Sequence, residues 1–378
     1  MLPLRAPLVL LLATPCLAQE GTSAWTADDV EAAVGRVVEN ALGSRDAVGF
    51  SVAVGIDGRV ALEKGYGQCE LEHEVSTTSS TVFRIDSITK QFTSTLVMRL
   101  VERGKVDVDE LAATYLPDVD FAGRDVTVRQ LLNHTSEIAS YTGLGRTRQK
   151  TLALELTDEE LLALITQVPP DFPPGEAWKY NNSGYYLLGM LVEAVSGERY
   201  EKLVTQMCAP LGMPRTRYGS NTDLIKDRAQ GYQRPLLSLQ NDGLIGMSQP
   251  GAAGALLSTA GELVRWMHAL AGGAIVSADS YAEMIEPTVT FDGSTHNYGF
   301  GLHMGVRGGQ RWVGHGGGIS GFNSMLTHYP DAGLVVCVLS NSESASSGTL
   351  AQQIADVLLV APASDRGKSG DDQHARKR

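Results

Sequence analysis

With 378 residues and 43% hydrophobic content, the chain is long enough for one large domain or two closely packed ones with a real core, which excludes disorder of the whole. Its 31 Lys+Arg stand against 43 Asp+Glu, giving a net charge of −12 with the acidic residues scattered. That balance argues against nucleic acid as a partner and against an electrostatic hold on an anionic membrane.

Residues 1–18 read as an export leader: Arg5 supplies the positive region, residues 8–13 a short apolar core, and Cys16-Leu17-Ala18 a small-residue cleavage site, so the mature chain is expected to start near Gln19. No later run reaches the roughly 18 apolar residues that a membrane-spanning helix needs. Cys69, Cys208 and Cys337 follow without CxxC spacing, which suggests no disulfide framework. Cys337 lies in the apolar run Leu334-Val335-Val336-Cys337-Val338-Leu339 and reads as a small core residue. The eight histidines show no HxH, HxxxH or HExxH spacing, so no metal is expected.

A helix is expected over 26–42, capped by Thr26 and stopped by Gly43. Two apolar runs, 49–55 and 59–65, flank Ile56-Asp57-Gly58 and suggest a hairpin. A short extended piece at 82–85 leads into an amphipathic helix over 87–102. Helical spacing then recurs at 128–132, 158–168, 184–195, 200–207, 260–271 and 277–285, between Pro/Gly-rich connectors. Period-two patterning returns at 300–306, 311–314, 322–329 and 334–340, a last helix spans 348–359, and the polar tail 361–378 is expected to be disordered. Strands at both ends with helices between imply an α+β fold. It would comprise an antiparallel sheet built from the N- and C-terminal segments, flanked by terminal helices, with a helical lobe inserted at about 95–295.

Three stretches carry candidate chemistry. In Phe83-Arg84-Ile85-Asp86-Ser87-Ile88-Thr89-Lys90, Ser87 is the candidate nucleophile, and Lys90 lies one helical turn further along the same face. A serine hydroxyl is too weak an acid to attack a carbonyl unaided, and an adjacent amine can take its proton. The second stretch, Lys179-Tyr180-Asn181-Asn182, is a polar loop before a helix. Tyr180 near a lysine ammonium could be held partly as phenolate and relay protons, while Asn182 could hold Lys90 and a substrate amide. The third is His315-Gly316-Gly317-Gly318, where a glycine run within strand patterning suggests close approach of a ligand or backbone. His315, Gly316 and Gly317 would line the substrate site, and the N–H groups of Ser87 and Gly318 would form an oxyanion hole.

Ser87-x-x-Lys90, Tyr180-x-Asn182 and His315-Gly316-Gly317, in that order and with roughly a hundred residues between each, resemble the three motifs of the serine β-lactamase and penicillin-binding superfamily. The match is to its class C β-lactamase, D-Ala-D-Ala carboxypeptidase and esterase group. Supporting phrases include Val128-Arg129-Gln130-Leu131-Leu132-Asn133-His134-Thr135-Ser136, Tyr185-Tyr186-Leu187-Leu188-Gly189 and Leu339-Ser340-Asn341, and the likeness runs over about 27–360. Two departures stand out. The third motif is His-Gly-Gly where class C β-lactamases have Lys-Thr-Gly, and Glu137 stands where the His-Thr-Ser phrase usually continues with glycine. The Lys368-Ser369-Gly370 triplet lies in the polar tail and reads as chance.

The resemblance implies an exported, periplasmic or secreted serine hydrolase that needs no cofactor and forms an acyl-enzyme on an amide, lactam or ester carbonyl. Its substrate would be a small molecule or peptide, peptidoglycan-derived peptides included. A broad carboxylesterase and a non-catalytic, penicillin-recognising binding module are the alternatives.

Overall fold

The computed structural model describes residues 25–360 apart from 122, 146–149, 167–168 and 171. The leader expected at 1–18, the tail at 361–378 and the Lys368-Ser369-Gly370 triplet therefore lie outside the described residues. The principal helices are α1 (Ala27–Leu42), α2 (Thr89–Glu102), α3 (Val128–Leu132), α4 (Asp158–Thr166), α5 (Asn182–Ser196), α6 (Tyr200–Cys208), α7 (Ala260–Ala271), α8 (Ala278–Met284) and α9 (Ser347–Leu358). Helix α1 opens on a capping box in which Thr26 accepts from the Asp29 N–H and the Asp29 carboxylate reaches back to the Thr26 backbone.

Strands β1 (Gly49–Ile56) and β2 (Arg59–Glu70) form the expected hairpin, closed by Asp57 and Gly58, both at positive φ (48° and 78°) as the tight two-residue turn requires. Strand β2 runs past 65 and pairs with the short β3 (Val75–Ser76). The C-terminal part supplies β4 (His303–Arg307), β5 (Gln310–Ile319), β6 (Phe322–Tyr329) and β7 (Leu334–Ser340). Together they make one antiparallel sheet in the order β4-β5-β6-β7-β1-β2-β3, so the two ends of the chain meet at the β7–β1 pair.

Alternation explains the layers. Leu334, Val336 and Val338 of β7, with Phe50, Val52 and Val54 of β1, share a buried cluster with Val30, Val34 and Val38 of α1 and Leu350 and Ile354 of α9. Val335, Cys337 and Leu339 point the other way, into the cluster that contains Leu263, Val264 and Trp266 of α7. Because both faces are covered, β7 reads as an unbroken apolar run although it is antiparallel. Each such side chain contributes about 1.5–3 kcal/mol of transfer free energy.

The helical segment expected over 95–295 divides. Helices α2, α3, α5 and α6 pack around one another as a lobe, whereas α7 leaves it and lies across β1, β2 and β7. Helix α2 also departs from expectation. Its pattern reads as amphipathic, yet every residue from Thr89 to Met98 is buried. Most of the polar ones find partners inside the protein: Thr93 Oγ1 lies 2.6 Å from the Ala252 carbonyl and 2.7 Å from Tyr200 Oη, Ser94 meets Tyr185 Oη at 3.1 Å, and Gln91 Oε1 accepts from Trp266 Nε1 at 3.0 Å. The helix is thus the axis of the lobe, and its N-terminus meets the sheet.

Candidate active site

At that junction a 3₁₀ turn, Asp86–Ile88, delivers Ser87 just before α2 begins. Lys90, in the first turn of α2, brings Nζ to 3.2 Å from Ser87 Oγ, as the three-residue spacing requires. The same amine meets Asn182 Oδ1 at 2.7 Å and the Ala253 carbonyl at 2.8 Å. Asn182 is the first residue of α5. Asn181 caps that helix by accepting from the Gly184 N–H, so it starts two residues before the expected 184. Asn182 Nδ2 donates to Thr142 Oγ1 at 3.1 Å, and these two partners orient the amide. The Tyr180 ring centroid lies 4.8 Å from Lys90 Nζ and 4.5 Å from that of His134.

The glycine run is strand, not turn: β5 continues through Gly316, Gly317 and Gly318 to Ile319. Strand β4 pairs with β5 only as far as Gly314, leaving the remaining edge without a strand partner among the described residues. The Ile319–Phe322 pair closes the turn to β6, and ladder alternation then points the Gly318 N–H toward that open edge. Ser87 lies against it. A β-carbon at Gly317 would come within 2.8 Å of Ser87 N and 2.5 Å of Asp86 Cβ, so only glycine fits.

Burial dominates the electrostatics. It holds the Lys90 amine well below the ordinary lysine range, and Asp86 opposes it only in part. His134 and His315 are likewise pushed well below the usual imidazole range, and His303 is lowered, by burial first and then by Lys90 and neighbouring histidines. The expected Tyr180 phenolate is not supported: burial raises its pKa above the usual phenol value, and the Ser87 hydroxyl opposes this only in part.

A cavity of about 60 Å³ opens beside Ser87, lined by Tyr141, Thr142, Asn182, Ile245, Gly318 and Ile319 among others. His315, Gly316 and Gly317 do not line it, contrary to expectation. His315 is 2% exposed and sits behind Tyr180, 3.2 Å from Tyr298 Oη, while Gly317 brings β5 against the Ser87 turn and Gly316 faces Ser324 and Met325 of β6. A larger cavity of about 890 Å³ lies between Glu155, Tyr186, Glu193 and Tyr218 and does not include Ser87, Lys90 or Tyr180.

Residues 34–359 match the Beta-lactamase family model. The chain belongs to the β-lactamase family. Penicillin-binding protein 4* of Bacillus subtilis is 27% identical over 80% of this chain and 70% of its own length. A D-aminopeptidase of Gluconobacter oxydans is 27% identical over 82% of this chain, which spans only 59% of that protein. The D-amino acid amidase of Ochrobactrum anthropi SV3, crystallised with L-phenylalanine amide, superposes with a TM-score of 0.77 at 26% identity, covering 88% of this chain and 99% of that one.

Within this β-lactamase-family site, several residues were not legible from the motifs. His303, whose His-x-Gly phrase reads as incidental mid-strand, brings its ring centroid to 4.9 Å from that of His315. Ala253 contributes only a carbonyl, which no side-chain pattern reveals. Thr142 and Tyr298 act through tertiary contact alone. Glu137 adopts φ 63°, the left-handed geometry that the family's usual glycine takes without strain, and is held by a 2.7 Å ion pair with Arg124.

Proposed function

We propose that this β-lactamase-family serine hydrolase works through an acyl-enzyme on small amide acyl donors, amino-acid amides first and D,D-peptides as the weaker donors. The observation that carries the reading is valence at Lys90. Asn182 Oδ1 and the Ala253 carbonyl accept, so they take the two hydrogens of a neutral amine and leave its lone pair for the Ser87 hydroxyl, 3.2 Å away. Burial favours that neutral form. Ser87 Oγ attacks the carbonyl carbon as its proton passes to Lys90, and the N–H groups of Ser87 and Gly318 receive the oxyanion. Tyr180, kept protonated by burial, gives its proton to the leaving group, and the proton held on Lys90 replaces it. Water then releases the acyl group from Ser87.

Two observations narrow the donor. The cavity of about 60 Å³ suits a small acyl side chain. The His315–Ile319 segment offers no lysine or arginine, and buried His315 is neutral, so a neutral leaving group fits better than one carrying a free carboxylate. The similarity to a D-aminopeptidase and a D-amino acid amidase supports the amide reading. The same missing cation favours a short-chain carboxylesterase as the second reading. The leader expected at 1–18 supports export, with peptidoglycan-derived peptides as donors outside the cytoplasm.

Turnover of D-alanine p-nitroanilide, a D-Ala-D-Ala peptide, a chromogenic cephalosporin and a short-chain p-nitrophenyl ester tests the assignment. The anilide is expected to give the highest kcat/KM. Ester turnover alone would select the carboxylesterase, and an acylation burst without turnover on any of the four would mark a binding module.

A further inference from the structure

His134 follows the C-terminus of α3, where the chain turns back through a left-handed backbone at φ 66°. A side chain is kept there at a backbone cost that glycine would avoid. The residue is 1% exposed. Its carbonyl accepts from the Lys179 N–H at 3.0 Å, and its ring Nδ1 accepts from the Asn181 N–H at 3.2 Å. Both chain neighbours of Tyr180 are therefore tied to one residue. Thr135 extends the seam by accepting from the Gly175 N–H at 2.9 Å.

The Asn181 bond also fixes the state of the ring. A backbone amide can only donate, so Nδ1 offers its lone pair and Nε2 carries the hydrogen. An imidazolium would set two donors against each other. The neutral ring has its centroid 4.5 Å from that of Tyr180, and the rings of Tyr298 and Tyr185 stand at 4.6 and 5.2 Å. Tyr185 is fixed in turn, donating from Oη to the Leu132 carbonyl at 2.7 Å. A tyrosine side chain has two torsions, the second of them broad, so the aim of its phenol follows from where its backbone is held and what its ring lies against. His134 supplies both at Tyr180, whose ring centroid is 4.8 Å from Lys90 Nζ.

We propose that His134 is a positioning residue that aims the Tyr180 phenol at the leaving group, by tethering both chain neighbours of Tyr180 and backing its ring. The proposal rests on the acyl-transfer reading above. His134 acts on the substrate only through Tyr180, so its effect depends on how much the leaving group needs a proton. An anilide nitrogen must be protonated to depart from the tetrahedral intermediate, whereas p-nitrophenolate and fluoride depart as anions.

The test is kcat/KM, which reports acylation, on D-alanine p-nitroanilide and on a short-chain p-nitrophenyl ester for wild type, His134→Gly and His134→Asn. Glycine takes the left-handed backbone and removes the ring, whereas asparagine tolerates that backbone and places an amide oxygen where Nδ1 was. His134→Gly is expected to lose about 10²-fold on the anilide and about threefold on the ester, and His134→Asn to stay within about fivefold of wild type on both. If only esters turn over, an ethyl ester replaces the anilide, because ethoxide also needs a proton. In a Tyr180→Phe background, His134→Gly should cost less than about threefold more on the anilide, because the phenol it aims is gone. Without substrate, hydrogen exchange of the Asn181 amide should quicken at least about tenfold in His134→Gly and stay near wild type in His134→Asn. Equal losses on the two substrates, full additivity with Tyr180→Phe, or unchanged exchange at Asn181 would overturn the proposal. A wild type that no fluorophosphonate acylates would overturn the acyl-transfer reading instead, and the exchange would still decide whether His134 holds the Tyr180 loop.

Discussion

Strand β7 and helix α2 are both buried from end to end, and they are built from opposite materials. In β7, Leu334 to Leu339 are all apolar, and burial against α1 and α9 on one side and α7 on the other is the whole of their contribution. In α2, Lys90, Gln91, Thr93, Ser94 and Thr95 are as dry as the core, and each is held by a named partner. Apolar burial tolerates some misfit, at a cost that grows with the cavity left. Polar burial fixes direction, because an unpartnered group in a dry site loses its desolvation free energy outright. The sheet therefore stabilises the molecule, and α2 aims a lysine at a serine.

The sharpest way to break this contrast is to substitute one residue in each region. Lys90→Met is expected to slow acylation by about 10³-fold or more, and to cost about 2 kcal/mol because Asn182 Oδ1 and the Ala253 carbonyl lose their donor. Val338→Ala in β7 should destabilise by a similar amount, about 2 kcal/mol, and change acylation less than about twofold. Denaturant melts and stopped-flow labelling of the two variants read both quantities. Equal losses of rate would erase the distinction.

Acid pH probes the polar region as a unit. His134, His303 and His315 have folded pKa values depressed below their unfolded value, so the unfolded chain takes up protons first as pH falls. Stability should be flat above about pH 7 and decline below about pH 6.5 by as much as about 1.4 kcal/mol per pH unit for each histidine. Melting temperature against pH tests this, and a curve that is flat down to about pH 5 would refute it. The smallest effect is expected at Thr93→Val, which removes the hydrogen bond to the Ala252 carbonyl next to the Lys90 partner Ala253. Stability should drop by about 1–2 kcal/mol and acylation by less than about tenfold.

The same contrast decides what was legible in the amino-acid sequence. Period-two runs such as 322–329 and 334–340 announce strands because burial alternates with the pleat, and the Ile56-Asp57-Gly58 turn announces its hairpin. Ser87, Lys90 and Asn182 were legible because three short motifs sit in order along the chain, and the fold brings them within hydrogen-bond reach. What stayed hidden depends on tertiary partners. The polar face of α2 reads as solvent-facing until Tyr185, Tyr200 and Trp266 are seen to meet it. Helix α7 has the spacing of a lobe helix, and only its contacts place it on the sheet. The Tyr180 phenolate was expected from a neighbouring amine alone, whereas burial, which no local pattern reveals, pushes the phenol's pKa upward.

The central claim, that Ser87 is the nucleophile of an acyl-enzyme, is tested most directly by intact-protein and peptide mass spectrometry after exposure to a fluorophosphonate or a penicillin. Wild type should gain one adduct, located on the peptide containing Ser87, and Ser87→Ala should gain none while melting as wild type does. An adduct of the same stoichiometry on Ser87→Ala, or one mapped to another residue of the wild type, would contradict it.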